Sequence, residues 1–328
     1  MLLLALPLEV YGLDASHIAV LYNVLDEDSR AIAFYYASRR KIPEHHIVPV
    51  SIKSPGRNLD PESFNDLLDG VRDRTSEYVE AYVLAWTLPF RVDCMSITSA
   101  FAFGFDTTHC ATGCETTAVN PYFDSPSRFP YRDHDVRPAM MLAGRTVQNV
   151  KVLIDRGVSS DYTQPISTAY LKDTEDITRS TRASRYAIAV RNVSDRFPVR
   201  IIKSDDVPYL FDVMFFFTGA KSVPYLNRLG FLPGALADHL TSAGGVLIGS
   251  SQMSILSWIE AGATGSFGAV TEPCNFPQKF PDPALAMMYY LNGETLIEAY
   301  WKSVRWPGQG VFVGEPLAKP FAKRPRAD

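Results

Sequence analysis

The chain lacks long apolar runs, a marked excess of one charge, and all but a few cysteines. Nowhere in its 328 residues is there the stretch of roughly 18–20 apolar residues that crosses a bilayer as a helix. No transmembrane segment is expected. Lysine and arginine total 32 against 36 aspartates and glutamates, a formal charge of −4, and no basic stripe exists to neutralise a run of phosphates. Nucleic acid is therefore not an expected partner. Four cysteines are too few for a disulfide scaffold but enough for one or two bridges or one metal site. Internal repeats and low-complexity segments are missing, and so is a phosphate-cradling glycine loop. The run Gly262-Ala263-Thr264-Gly265-Ser266-Phe267-Gly268 has glycines at suggestive spacing, but it enters a strand where the dinucleotide fingerprint enters a helix.

What is present is a globular composition, 46% hydrophobic and 21% charged, long enough for two domains or one large α/β domain. The amino end, Met1-Leu2-Leu3-Leu4-Ala5-Leu6-Pro7-Leu8 with Gly12 beyond it, has the apolar character of a signal peptide but no charged leading segment. It reads as a signal-peptide remnant over 1–12, or as a short buried strand or arm. Export would permit disulfides; retention in the cytosol would leave thiols or ligands.

Strand and helix signals alternate from there. His17 to Tyr22, Ile47 to Val50 and Val79 to Trp86 read as strands, with helices over Ala31–Ala37 and from Pro61 through Val71. This order argues for a parallel sheet with helical crossovers. Between about 104 and 135 periodicity fails, which marks a long loop insertion. A further polar stretch, Ser159–Thr181, precedes Tyr186–Val190, read as a strand. Val213–Phe217 is a continuous apolar run, hence a central strand. Beyond it the pattern gives a helix at Leu236–Leu240, a strand at Val246–Gly249, a helix at Ser254–Glu260, a strand at Ser266–Val270, two helices and a last strand at Val311–Val313. The basic tail, 322–328, reads as a solvated end. The expected fold is a mostly parallel α/β sheet flanked by helices, one domain over 13–321 with a single insertion.

In such a sheet ligands bind beyond the carboxyl ends of the strands. That rule selects Asn23, Arg91, Thr218, Lys221, Ser251 and Gln252 as substrate-binding candidates, and Cys274 with Glu272 as catalytic candidates. Asp28 reads as a helix cap rather than a ligand. Arg91 either clamps an anion or pairs with a local carboxylate. Ser250, Ser251 and Gln252 lack a Gly-x-Ser-x-Gly elbow and suit capping of the next helix. Cys274 is the one thiol at an expected strand end. A thiolate nucleophile needs an imidazole partner, and the spacing does not say which of His17, His45, His46, His109, His134 or His239 could reach it. Cys110 and Cys114 have a spacing that zinc accepts, with His109 and Cys94 nearby, but a second paired knuckle is missing. The reading assigns no metal and no cofactor; bridge, ligand and free thiol stay open for Cys94, Cys110 and Cys114.

Taken together, Val20-Leu21-Tyr22-Asn23 with Asp26, Asp28 and Ser29, Trp86-Thr87-Leu88-Pro89-Phe90-Arg91-Val92, Asn120-Pro121-Tyr122-Phe123, Phe217-Thr218-Gly219-Ala220, Thr271-Glu272-Pro273-Cys274 and Gly314-Glu315-Pro316-Leu317 resemble a bacterial family found alongside exosortase-type protein-sorting systems. The blocks span about residues 13–321. The resemblance implies a signal peptide and a periplasmic or extracellular location, and brings no catalytic residues. Residues 211–321 are also similar to the catalytic domain of gingipain-type cysteine peptidases, which have a caspase-like sheet. In those enzymes a histidine follows one strand in a Gly-His-Gly context and the nucleophilic cysteine follows the next. The matching positions here read Thr218-Gly219-Ala220 and Ser250-Ser251, so both catalytic residues are absent from their places. The resemblance implies an exported, envelope-associated binding or accessory protein that acts on an exported protein or a small molecule. The alternatives are a hydrolase, as a divergent thiol peptidase using Cys274, or a metal-dependent hydrolase using Asp26, Asp28 or the cysteine–histidine cluster.

Overall fold

Short apolar runs alternate with capped, amphipathic stretches along the whole chain, and they fold as strands and helices in turn. A computed structural model describes residues 12–53, 56–111 and 113–324. The leader-like segment before Gly12 and the end of the basic tail lie outside the described residues. The first third gives β1 (Ile18–Asn23), α1 (Glu27–Arg40), β2 (Ile47–Val50), β3 (Asn58–Leu59), α2 (Pro61–Arg72), β4 (Ala81–Leu84), β5 (Arg91–Val92), β6 (Met95–Ser96) and α3 (Ile97–Phe103). The middle holds α4 (Pro130–His134), β7 (Ala139–Met141), α5 (Val147–Ser160), β8 (Thr168–Asp173), α6 (Tyr186–Val193) and β9 (Val199–Lys203). The last third gives β10 (Leu210–Gly219), β11 (Leu229–Leu240), α7 (Leu256–Ala261), β12 (Gly265–Ala269), α8 (Pro283–Leu291), α9 (Leu296–Ser303) and β13 (Gly310–Gly314).

Local chemistry sets the helix ends. Asp26 caps α1 by accepting the Asp28 N–H, Glu27 and Asp28 sit in the first turn, and Arg39 and Arg40 close the last, each charge suiting the helix dipole. Asp26, not Asp28, is thus the cap: Asp28 lies within the first turn of the helix, and it is its N–H that Asp26 accepts. Asp60 accepts the Ser63 N–H ahead of Pro61 in α2, Thr146 accepts the Asn149 N–H at α5, and Thr295 with Glu298 forms a reciprocal box at α9.

Ten strands form one sheet in the order β2-β1-β4-β7-β13-β12-β11-β10-β8-β9, and β3, β5 and β6 form a separate three-stranded sheet. Every pairing in the large sheet is parallel except β12 with β13. Helices cover both faces. Alternate side chains such as Val20, Phe215, Phe217 and Phe312 pack with α1, α5, α6, α8 and α9, whereas Leu21, Phe216 and Val313 pack with α2, α3 and α7.

Four sequence expectations change. Leu236–Leu240 belongs to β11 and not to a helix: Leu236 through Leu240 pair residue by residue with Phe215 through Gly219. Ala, Leu, Asp and His there favour no strand, but burial on both faces between β10 and β12 overrides propensity. Tyr186–Val190 is helical, because Tyr186, Ala189 and Val193 form one buried helical face. Val246–Gly249 forms no strand and lies in the turn region after β11. The polar stretch 159–181 hides β8, and β9 follows as a half-exposed edge strand.

Candidate functional site

Parallel strands bring their carboxyl ends to one edge, and a crevice of about 260 Å³ opens there beyond β1, β4 and β7. The chain runs from β1 to β2 on one side and then returns to β4 on the other, so the crevice sits at a reversal of strand order, where α/β sheets bind ligands. Asp26 and Asp28 come from the start of α1, Trp86 and Thr87 from beyond β4, and Arg145 from the turn that leads into α5. Ile248, from the turn region after β11, closes the far side. The Thr87 hydroxyl donates to the Gly144 carbonyl at 2.9 Å and accepts the Gly144 N–H at 3.1 Å, which locks the β4 and β7 ends together. Gly144 fits closely there, since a Cβ would stand 2.9 Å from the Val150 side chain and would force it to shift. Arg145 pairs with Glu260 at 2.9 Å. Neither histidine nor cysteine lines the crevice. It can bind, but it holds no imidazole and no thiol for acyl transfer.

Of the residues selected from strand ends, Asn23 is buried and fully engaged. Its Oδ1 accepts the Ile52 and Leu25 N–H groups and its Nδ2 donates to the Ile52 carbonyl, so it ties β1 to the chain beyond β2 rather than touching the crevice. Arg91 lies in the small sheet, half-buried, with its Nε unpaired. Thr218 is buried at the end of β10 with its hydroxyl unpaired, and its carbonyl accepts Arg182 Nη2 at 2.8 Å. Lys221 and Ser251 are exposed. Gln252 is a structural link: its Oε1 accepts the Thr241 hydroxyl and the Ala243 N–H, both at 2.8 Å. The structure therefore does not gather these six into one pocket.

Cys274 is not a thiol. It is bridged to Cys114, and Cys94 is bridged to Cys110. A disulfide sulfur carries no proton to lose and cannot serve as the nucleophile. The separation of Cys274 from the other three cysteines is overturned by the same bridge, which staples the insertion to the loop after β12. Glu272, the partner candidate, accepts the Cys274 N–H at 2.8 Å and caps its own turn. Among the described residues, no three His, Cys, Asp or Glu side chains gather to hold a metal.

The strand that follows β10 is β11, so the position after the next strand is Thr241 and not Ser250-Ser251. No cysteine stands at either place. The edge here is filled: Arg179 Nε donates to Thr241 Oγ1 at 3.2 Å, and the Met253 N–H donates to the Lys221 carbonyl at 3.1 Å. The nearby imidazole is His239, wholly buried within β11. Its Nδ1 accepts the Trp258 indole N–H at 2.8 Å and its Nε2 faces the Met253 carbonyl at 3.1 Å. An acceptor at Nδ1 and a donor at Nε2 define the neutral tautomer, and burial lowers the pKa to about 4. His239 is locked as a packing residue.

On the opposite face of β11, Asp238 meets Arg182, Oδ1 to Nη2 at 2.5 Å, with both side chains buried. Burial pushes the Asp238 carboxyl up to about 6 and the guanidinium opposes it. Neither residue was selected from the sequence. The β7 exit, Gly144-Arg145, was also missed, although applying the strand-end rule to Ala139–Ala143 would have found it.

No family model and no curated protein matches this chain. A solved structure described as that of a protease is similar to it in fold, with a TM-score of 0.52 and 8% identity, over 95% of this chain and 80% of its own. The chain thus has a large, mostly parallel, helix-flanked sheet with a protease-like structural neighbour.

Proposed function

We propose that this protein is a binding or accessory protein built on a peptidase-type sheet, exported and working at the bacterial envelope alongside other exported proteins. The observation that carries the reading is that all four cysteines are consumed in two bridges, which leaves no thiolate for a cysteine-peptidase mechanism. Disulfides persist in oxidising compartments, which supports export. Among the described residues no helix is long and apolar enough to cross a membrane. The ligand crevice of this reading is the one beyond β1, β4 and β7.

The test is alkylation of the native, unreduced protein with iodoacetamide, followed by peptide mass analysis and a casein-cleavage assay. The expected result is no adduct on any cysteine, Cys114–Cys274 recovered as a linked peptide pair, and no cleavage. Stoichiometric labelling of Cys274, with casein cleavage that the reagent abolishes, would instead establish the thiol hydrolase.

A further inference from the structure

The amino ends of β1 and β4 lie at the edge of the sheet opposite the strand-end crevice, and a second cavity, of about 900 Å³, opens there. Glu80, the residue before β4, and His17, the residue before β1, both line it. Glu80 is only 3% exposed, and the surface that it keeps faces this cavity. Its Oε2 accepts the Tyr131 and Arg132 N–H groups at 2.7 and 3.3 Å. Its Oε1 has no donor among the described residues, yet it is not sealed from solvent.

The neighbouring cations are committed elsewhere. His17 Nδ1 pairs with Asp14 at 2.9 Å, and Arg132 pairs with Asp133 at 2.9 Å while stacking on Phe129. Arg137 stacks on Tyr131, and its Nε donates to the Val79 carbonyl. Glu77 and Asp135 also line the cavity, and among the described residues neither they nor Glu80 has a cationic side chain within 4.0 Å. Three uncompensated carboxylates give the cavity a negative potential, and the buried one holds a free oxygen inside it. A calcium ion asks for about six to eight oxygens in direct contact, and no three such side chains gather among the described residues. An organic ammonium needs one close carboxylate and gains from the others at longer range. Tyr78, which is exposed, and Phe129 offer its body an aromatic wall. The volume falls in the range of small-ligand sites. We propose that this cavity binds an aryl-alkyl ammonium, its charge on Glu80 Oε1 with Glu77 and Asp135 at the rim, and its ring against Tyr78 and Phe129. The site lies at the opposite edge from the crevice and stands whether or not that crevice binds a ligand.

The test uses the full protein labelled with ¹⁵N and titrated with phenethylamine, with the uncharged 2-phenylethanol, with the amide of Phe-Gly-Gly and with calcium. Phenethylamine is expected to bind saturably, with its largest shifts at the Tyr131 and Arg132 amides that donate to Glu80. The alcohol should bind about tenfold more weakly or worse. Glu80→Gln keeps an acceptor for those amides but removes the charge, and should weaken the amine about tenfold. Glu77→Gln/Asp135→Asn, at exposed positions, should weaken it about threefold with an unchanged melting temperature. The peptide amide presents the same ammonium on a peptide's amino end, and the tighter of the two ammonium ligands names the source. Equal affinity for amine and alcohol, shifts confined to other residues, or unchanged affinity in Glu80→Gln or in the rim pair would overturn the proposal. Tighter binding of calcium than of either ammonium would overturn the assignment to an organic cation.

Discussion

His239 is a packing residue of β11, held at both ring nitrogens. Its partners, Trp258 and Met253, come from the segment after β11 and meet it only in the folded sheet. Replacing it by leucine leaves the buried Trp258 indole N–H and the half-buried Met253 carbonyl without partners, a loss of about 1–3 kcal/mol for each buried group. We expect His239→Leu to lose about 3 kcal/mol of stability at pH 7, measured by urea unfolding. The pH dependence has a definite sign. The folded imidazole titrates at about 4 and the unfolded one at 6.5, so between these values only the unfolded state carries the proton, and wild-type stability falls as pH drops from 6.5 to 4. By about 1.4 kcal/mol per unit this amounts to about 3 kcal/mol. The variant lacks the group, so its deficit should all but close by pH 4. Asp238 acts in the opposite direction: its folded pKa is raised from 3.8 to about 6, so its contribution falls as pH rises through that window. It is present in both proteins and cancels in their difference. Arg182 cannot lose Asp238 cheaply either. Asp238→Ala would leave a buried guanidinium without its counter-charge, and a loss of about 3–5 kcal/mol in the same measurement is expected.

Among the elements, the insertion shows most clearly what local pattern conceals. Its lack of periodicity marked residues 104–135 as irregular, and apart from a short turn at Thr107–His109 and the five-residue α4 they are. What holds them is not local. The Cys114–Cys274 bridge spans 160 residues of sequence and fixes the insertion to the loop after β12, while Cys94–Cys110 spans 16 and ties it to the small sheet. Loop-closure entropy assigns about 5 kcal/mol to a link of the first length and about 3 kcal/mol to the second. The Cys114→Ala/Cys274→Ala protein should therefore unfold at markedly lower urea than the Cys94→Ala/Cys110→Ala protein. The reverse order would show that the longer bridge does not restrain the unfolded chain as argued. The misread elements have a common cause. An interior strand such as β11 is buried on both faces, so polar and apolar residues need not alternate. A short helix such as α6 can carry an apolar run that looks like a strand until Tyr186, Ala189 and Val193 are seen on one face.

At the scale of the molecule, the last strand stands in the middle of the sheet. β13 lies between β7 and β12 and thereby joins the strands of the first half to those of the second. A fragment ending before Arg305 would lack that strand and expose β7 and β12 as open edges. We expect such a fragment to remain unfolded by circular dichroism, and the full chain to melt in one calorimetric transition. Two separate transitions would show that the halves fold independently.

The sequence by itself determined the composition class, the alternation of strand and helix, the interior apolar strand β10 and the irregular insertion, because these depend on hydrophobic pattern and capping chemistry within a few residues. Where the strand after β10 ends was not among these, since Leu236–Leu240 has no strand pattern and only the fold moved that position from Ser250-Ser251 to Thr241. Tertiary structure alone decided which strand follows β10, that Cys274 is bridged to Cys114, that Asn23 is spent on the backbone of Ile52, and that Arg182 meets Asp238. Each of these depends on contacts between residues far apart in the chain, and no local pattern encodes which distant partner a side chain will meet.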